Sequence, residues 1–170
     1  MVTRETPRLF LRPPIPSDLE VFVEIHEDPE VMRHMVTTGQ PGGRAAGWRT
    51  LALLLGHWHL LGYGQWTVIE KATGEIIGRA GLWNPEGGLG LEVGWVIRQS
   101  KWGLGFATEA ARAAVLHGFE TVGADHLISL IRPENTRSIR VAEKIGESFE
   151  RTEVQDGVDV LVYGIWRPAA

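Results

Sequence analysis

Two neighbouring stretches of this 170-residue chain decide how it folds: residues 91–97 read LEVGWVI, and residues 102–110 read WGLGFATEA. The first stretch is an apolar run typical of a β-strand. The second opens with Gly103 and Gly105 and continues with small residues at helical spacing. The first turn of a helix has free backbone N–H groups and favours negative charge, and glycine lets a ligand approach the backbone closely. The pair therefore predicts a strand, a glycine turn and a helix that can hold a phosphate or diphosphate.

The glycine turn by itself leaves a second interpretation open, in which it only ends the strand. It is not a dinucleotide-binding fingerprint, because the third glycine is missing at the required spacing, and it is not a Walker loop, because no Gly-Lys-Ser/Thr follows. Phosphate binding and a purely structural turn both fit the spacing.

The pattern on either side of this unit predicts one mixed α/β domain over residues 1–170, with hairpins in its middle and at its end. Ser17, with Glu20 three residues later, is expected to cap the first helix. The sequence predicts strands at 8–12, 63–70, 75–83, 89–97, 127–131, 149–154 and 158–166. It predicts helices from Ser17 to about Asp28, at 30–35, 44–61 and 103–122, and from Asn135 to Ile145 with Gly146 as the C-terminal cap.

Composition excludes several classes of function. A net charge of −4 argues against a nucleic-acid binder, which needs a basic surface for phosphate contacts. The absence of cysteine excludes disulfides, thiolate zinc sites and a cysteine nucleophile, and no metal is expected. Residues 1–5 lack the apolar run of a secretory signal, and the apolar region 51–61 is too short to span a bilayer. We therefore expect a cytoplasmic protein that binds neither nucleic acid nor membrane.

The chain resembles the GNAT acetyltransferase superfamily, and within it the branch typified by RimJ and RimL, the ribosomal-protein N-terminal acetyltransferases. Four blocks carry the resemblance in the family's order: TPRLFLR at 6–12 with Ser17-Asp18, EVGW at 92–95, WGLGFATEA at 102–110, and PENTRS at 133–138 followed by EKIG at 143–146. The resemblance implies a GNAT fold, with a largely antiparallel seven-stranded sheet that is splayed in the middle and flanked by helices.

The same resemblance implies acetyl-CoA as the cosubstrate. It implies that backbone groups of residues 95–97 pair with the pantetheine arm, that residues 102–107 hold the pyrophosphate, and that Asn135 reaches the pantetheine. Asn135 also fits a helix N-cap, and both roles can hold at once. Lys101 or Arg98 could screen the phosphates or form solvated surface pairs. The residues expected to bind the cofactor are Trp95, Val96, Ile97, Trp102, Gly103, Leu104, Gly105, Phe106, Ala107, Thr108 and Asn135.

The group that protonates the departing thiolate is open. Many members of the superfamily have a tyrosine seven residues after the asparagine, where this chain has Ala142. Ser138, one helical turn from Asn135, is the natural substitute, although a small residue that packs or bonds back to the backbone fits equally well. Tyr163 on the last strand is a weaker candidate.

Glu92 is the expected general base, because it is a carboxylate on the strand that would present the thioester. The alternatives are a carboxylate that orients the substrate or one exposed at a sheet edge. His57 and His59 could line the acceptor cleft, but packing or surface roles fit them better.

The expected reaction is direct transfer of an acetyl group to a primary amine, which is either a protein N-terminus or a small molecule. A GNAT-fold module that binds acyl-CoA without turnover, and an unrelated nucleotide-binding enzyme, are the alternatives. The loop at residues 36–47 and the helix that follows are expected to contact the acceptor. The seven tryptophans are compatible with a homodimer.

Overall fold

An eight-stranded sheet forms the centre of the protein, which is known from a computed structural model that describes residues 2–35 and 42–169. All seven predicted strands are present, and the eighth is a two-residue strand too short to produce a sequence pattern. The strands are β1 (Arg4–Glu5), β2 (Leu9–Arg12), β3 (Gln65–Glu70), β4 (Ile76–Trp83), β5 (Glu92–Ile97), β6 (His126–Ile131), β7 (Ser148–Gln155) and β8 (Val158–Trp166). Their order in the sheet is β1-β2-β3-β4-β5-β6-β8-β7.

Five α-helices surround the sheet: α1 (Leu19–Glu27), α2 (Pro29–Met32), α3 (Gly43–Leu61), α4 (Phe106–His117) and α5 (Thr136–Ile145). The prediction that Ser17 caps the first helix is wrong. Ser17 lies inside a 3-10 turn, and the cap position is Asp18, whose carboxylate is bound instead by Arg12 and Thr67. Helix α4 also ends earlier than predicted and continues as a π-helical turn over Gly118–Val122.

The splay lies between β5 and β6, which are the only parallel neighbours in the described part of the sheet. Their register consists of one pair, Glu92 with Ile128, where the Ile128 N–H donates to the Leu91 carbonyl at 3.0 Å. Beyond this pair the two strands separate. By contrast, β5 pairs with β4 along its whole length. The GNAT-type fold with a splayed, mostly antiparallel sheet is confirmed.

Alternating side chains of β5 face two different layers of helices. Val93 and Ile97 are buried with Ala110 and Ala114 of α4 on one face. On the other face, α1 and α3 pack together and their apolar residues reach Trp83 of β4. Glu92 pairs with Trp83 in the register, so its side chain lies on the α1/α3 face.

Residues 36–41 of the loop expected to contact the acceptor lie outside the described residues. None of the described helices is both long and apolar enough to cross a membrane.

Candidate functional site

The glycine turn places the N-terminus of α4, with its free N–H groups, at the end of the sheet where β5 and β6 are separated. Gly103 and Gly105 have φ values of 76° and 83°, which strain any residue with a Cβ, and Gly105 is the N-cap of α4. The Glu109 N–H donates to the Gly105 carbonyl at 3.0 Å and closes the first turn. The N–H groups of residues 106–108 precede that bond and remain available to an anion.

Residues 6–8, between β1 and β2, hold this turn in place. Glu109 accepts hydrogen bonds from the Thr6 hydroxyl at 2.6 Å, from the Arg8 backbone at 2.9 Å and from Arg8 Nε at 2.6 Å. Arg8 also donates to the Leu104 carbonyl at 2.8 Å, and its guanidinium lies 4.5 Å from the centre of the Phe106 ring. The turn is therefore held by side chains about 100 residues away in sequence.

A cavity of about 360 Å³, here called the α4 cavity, lies between the N-terminus of α4, β5 and α5. Every residue expected to bind the cofactor lines it except Leu104, whose carbonyl is bound by Arg8 and whose side chain is exposed. The residues that line it are Val31, His34, Met35, Trp95, Val96, Ile97, Lys101, Trp102, Gly103, Gly105, Phe106, Ala107, Thr108, Asn135, Arg137, Ser138, Arg140, Val141 and Lys144.

The cations suited to phosphate are not the two that the sequence suggested. Lys101 lines the cavity but is paired with Glu70 at 2.7 Å and Glu75 at 3.0 Å. Arg98 does not line it, because it pairs with Glu24 and with Glu75.

Three cations of α5, which the sequence analysis did not identify, are instead the ones suited to bind the phosphates. Arg137, Arg140 and Lys144 line the α4 cavity and have no ion-pair partner among residues 2–35 and 42–169. Arg137 also stacks on Trp102, with its guanidinium carbon 4.4 Å from the ring centre. Their spacing of three and four residues places them on one helix face, a signal that was available in the sequence.

Of the three β5 residues expected to pair with the cofactor, only two have backbone groups that face the splay. The Arg98 N–H donates to the Ile77 carbonyl of β4, so by alternation the backbone groups of Val96 also face β4 rather than the gap. The backbone groups of Trp95 and Ile97 face the splay, where β6 has already diverged. The Ile97 carbonyl accepts a hydrogen bond from Trp102 Nε1 at 2.7 Å, which leaves its N–H and both backbone groups of Trp95 for a ligand.

Helix α5 begins at the site. The Asn135 side-chain oxygen accepts from the Ser138 N–H at 3.1 Å, so Asn135 is the N-cap, and its amide nitrogen remains available toward the cavity. The Ser138 hydroxyl accepts from Trp95 Nε1 at 3.3 Å, so its own proton can go to another acceptor. Ala142 is fully buried against Tyr163, and Tyr163 lines neither this cavity nor the next.

A second cavity of about 300 Å³, here called the α3 cavity, lies over the α1/α3 face of the sheet. Glu92 lines it, and burial raises the pKa of Glu92 to about 7. The Glu92 carboxylate makes no hydrogen bond or ion pair with another of the described residues. The two cavities meet at residues that line both: His34, Met35, Trp95, Val96, Asn135 and Ser138.

The histidines named from the sequence do not line the α3 cavity. His57 is buried and stacks on Trp83 with ring centres 4.6 Å apart. Its Nε2 accepts from the Asn84 N–H at 3.0 Å, so Nδ1 carries the proton and donates to the Tyr63 carbonyl at 2.9 Å. Burial lowers the pKa of His57, and both ring nitrogens are occupied in the neutral form.

Arg79 and Gln65, on the floor of the α3 cavity, were also missed by sequence reasoning. Arg79 is buried, and its guanidinium donates to the side-chain oxygen of Gln65. The signal in the sequence is an arginine inside an otherwise apolar strand, IIGRAGLW at 76–83.

Comparisons with known proteins agree with this geometry. Residues 8–148 match the family described as the acetyltransferase (GNAT) domain. The chain is 30% identical over 154 residues to the uncharacterized N-acetyltransferase p20 of Bacillus licheniformis, which covers 89% of this chain and 84% of that protein. It is 38% identical over 106 residues to the uncharacterized protein YkkB of Bacillus subtilis, a match that covers 60% of this chain and 62% of YkkB.

Among solved structures, an acetyltransferase of Agrobacterium tumefaciens str. C58 superposes with a TM-score of 0.87 at 30% identity, over 98% of this chain and 95% of the other. With a family match over most of its length, a splayed sheet and an open helix N-terminus beside the splay, this chain belongs to the GNAT acetyltransferase family.

Proposed function

We propose that this protein is an N-acetyltransferase of the kind that the RimJ and RimL motifs suggest, and that it transfers the acetyl group of acetyl-CoA directly to a primary amine. The observation that carries the proposal is the junction of the two cavities at Trp95 and Ser138. One cavity offers backbone N–H groups and three unpaired cations for a nucleotide diphosphate, and the other offers a carboxylate with a pKa near 7.

The residues of the α4 cavity fit acetyl-CoA. Residues 106–108 direct N–H groups at a diphosphate, and Arg137, Arg140 and Lys144 neutralise its charge. Trp95 and Ile97 offer an unpaired strand edge to the two amides of the pantetheine arm, in the manner of an added strand. Bound there, acetyl-CoA supplies a reactive thioester at the point where the cavities meet.

The amine approaches through the α3 cavity and attacks the thioester carbonyl carbon, so that a C–N bond forms as the C–S bond breaks. A backbone N–H at the splayed edge, of Trp95, polarises the carbonyl oxygen. Glu92 accepts the proton of the amine, directly or through a water molecule. Ser138 donates a hydrogen bond to the sulfur as coenzyme A leaves as a thiolate, since the Ser138 hydroxyl oxygen already accepts a hydrogen bond from Trp95. The proton that Glu92 took from the amine then passes to solvent or to the thiolate.

A binding test and a turnover test together decide between this function and an acyl-CoA-binding module without turnover. Acetyl-CoA is titrated by calorimetry, and thiol release is followed with a panel of primary amines and N-terminal peptides. The proposal expects tight binding and amine-dependent release of free thiol together with an N-acetylated product. Binding without amine-dependent release across the panel would favour the module, and stabilisation by ATP or NAD instead of acetyl-CoA would contradict both.

A further inference from the structure

The floor of the α3 cavity holds a buried positive charge without a negative partner. Arg79 is 8% exposed and lies within the sheet at the centre of β4. None of the described carboxylates lies within ion-pair distance of it, and residues 36–41 (VTTGQP) contain no acidic side chain. Burying a guanidinium without an anionic partner lowers the free energy of unfolding, so proteins rarely contain one unless a bound anion pairs with it.

The charged neighbours of Arg79 do not compensate for it. Asp18 is bound at both oxygens by Arg12, at 2.8 and 2.6 Å. His26 is buried nearby, and burial together with Arg79 lowers its pKa, so it is neutral. Glu92 lies at the other end of the strand pairing, opposite Trp83, and is not in contact with Arg79.

The only hydrogen-bond partner of the Arg79 guanidinium among the described residues is Gln65, and this contact orients the Gln65 amide. The guanidinium is a donor only, so it takes the Gln65 oxygen and turns the Gln65 nitrogen the other way. That nitrogen lies over Gly94, where a Cβ would come within 2.5 Å of it. Arg79 Nε itself is buried without a partner. Arg79 and Gln65 therefore present N–H donors to the cavity and no free acceptor.

From these contacts we propose that the α3 cavity binds an acceptor that carries a carboxylate near its amine, of the free α-amino acid class, and that Arg79 and Gln65 hold the carboxylate. The inference rests on the proposed amine acetylation and specifies its substrate class. Planar guanidinium and amide donors match the two oxygens of a carboxylate.

The distance from Arg79 to the reaction centre limits how far the carboxylate is from the amine. Arg79 pairs directly with Val96 in the register, and Val96 lines the junction of the two cavities. The Gln65 amide nitrogen lies over Gly94, the residue before Trp95, so the paired donors are close to the junction, and the carboxylate and the reacting amine are a few bonds from each other. Much of the remaining wall is apolar, which suits an apolar side chain; the apolar residues are Met35, Leu53, Leu54, Trp83, Leu130 and Ile131.

The test compares leucine, methionine and phenylalanine with their α-amides, which differ from the acids in the carboxylate but keep the side chain. In the wild-type protein we expect the acids to have the higher kcat/KM by about 10- to 100-fold, the value of a charged hydrogen-bonded contact. In Arg79→Gln that preference should disappear through loss of activity with the acids, and Arg79→Lys should keep part of it. The ratio of kcat/KM for acid to that for amide is compared between the wild-type protein and each variant, and this comparison cancels the difference in amine basicity between acids and amides.

Arg167→Gln is the matched control, because Arg167 is exposed after β8 and lines neither cavity, so the substitution removes the same charge away from the site. Binding of the acids to the protein–CoA complex by calorimetry provides a readout that does not need turnover, and tight acetyl-CoA binding shows that each variant is folded. Equal activity with acids and amides in the wild-type protein would overturn the proposal while leaving amine acetylation intact. If no amine is acetylated but the acids still bind through Arg79, the carboxylate site stands and the proposed reaction fails.

Discussion

Glu92 is the residue whose environment most directly predicts a pH dependence. Burial raises its pKa to about 7, so it is half ionised near neutral pH and becomes a competent base as the pH rises. We expect kcat to increase between about pH 6 and pH 8, and Glu92→Gln to remove this limb and lower kcat by about 10²- to 10⁴-fold.

Initial rates across this pH range, with saturating acceptor, check the assignment. Glu86→Gln is the control, because Glu86 is exposed in the β4–β5 turn and should leave the profile unchanged. Full activity of Glu92→Gln at every pH would show that another group takes the proton.

Ser138 differs from Glu92 in that it acts on the leaving group. Its hydroxyl is bound by Trp95 at 3.3 Å and its backbone N–H by Asn135, so the side chain is fixed at the junction of the cavities. Ser138→Ala should lower kcat by about 10- to 100-fold, the value of a hydrogen bond to a charged group, with little change in the Kd of acetyl-CoA. Steady-state kinetics and calorimetry measure both quantities, and a weaker Kd with an unchanged kcat would assign Ser138 to binding alone.

At the scale of elements, the first turn of α4 depends on Glu109. Its carboxylate binds Thr6 and Arg8, and the bonds lower the pKa of Glu109 against the opposing effect of burial. Glu109→Gln should loosen residues 102–105 and raise the Kd of acetyl-CoA about 10-fold, because a displaced helix N-terminus no longer points its N–H groups at the diphosphate.

Isothermal titration with acetyl-CoA tests this, and Glu143→Gln on the exposed face of α5 is the control. An unchanged Kd in Glu109→Gln would mean that the glycine turn keeps its shape without the anchor.

At the scale of the whole molecule, one buried chain of hydrogen bonds joins the two halves of the sheet. The Ser129 hydroxyl donates to the Val93 carbonyl at 2.8 Å and lies 2.9 Å from a carboxyl oxygen of Glu147. The Ser129 hydroxyl can donate to only one of these two oxygens at a time, and a protonated Glu147 that donates to Ser129 would satisfy both contacts. Burial, with help from the charge of Glu150, raises the pKa of Glu147 to about 8.

This linkage predicts that the protein loses stability as the pH rises from about 4.5 to about 8. The folded protein holds a proton on Glu147 that an unfolded chain, with the ordinary carboxyl pKa of 4.5, has released, so unfolding is favoured at higher pH. Glu147→Gln keeps a donor without the titration. Urea unfolding at pH 5 and pH 8 should therefore show a smaller loss of stability in the variant than in the wild-type protein, and equal losses would contradict the assignment.

The sequence alone predicted the seven main strands, the helices and the place of the glycine turn, because these depend on neighbours close along the chain. Period-two and helical spacing, a glycine with positive φ and an N-cap asparagine are local properties, and they located the α4 cavity before any contact was known. The prediction of a cap at Ser17 is wrong because residues 16–18 form a 3-10 turn, which moves the cap position to Asp18, and the Asp18 carboxylate is bound by Arg12 of β2 and Thr67 of β3.

Only the tertiary structure decided which charges are free and which edges are open. Lys101 and Arg98 look available in the sequence, but folding brings Glu70, Glu75 and Glu24 to them. Arg79 looks like one polar residue in a strand, but folding buries it with no carboxylate of residues 2–35 or 42–169 within ion-pair distance. Whether a charge is paired depends on groups that are distant in the chain and adjacent in space, and no local pattern contains that information.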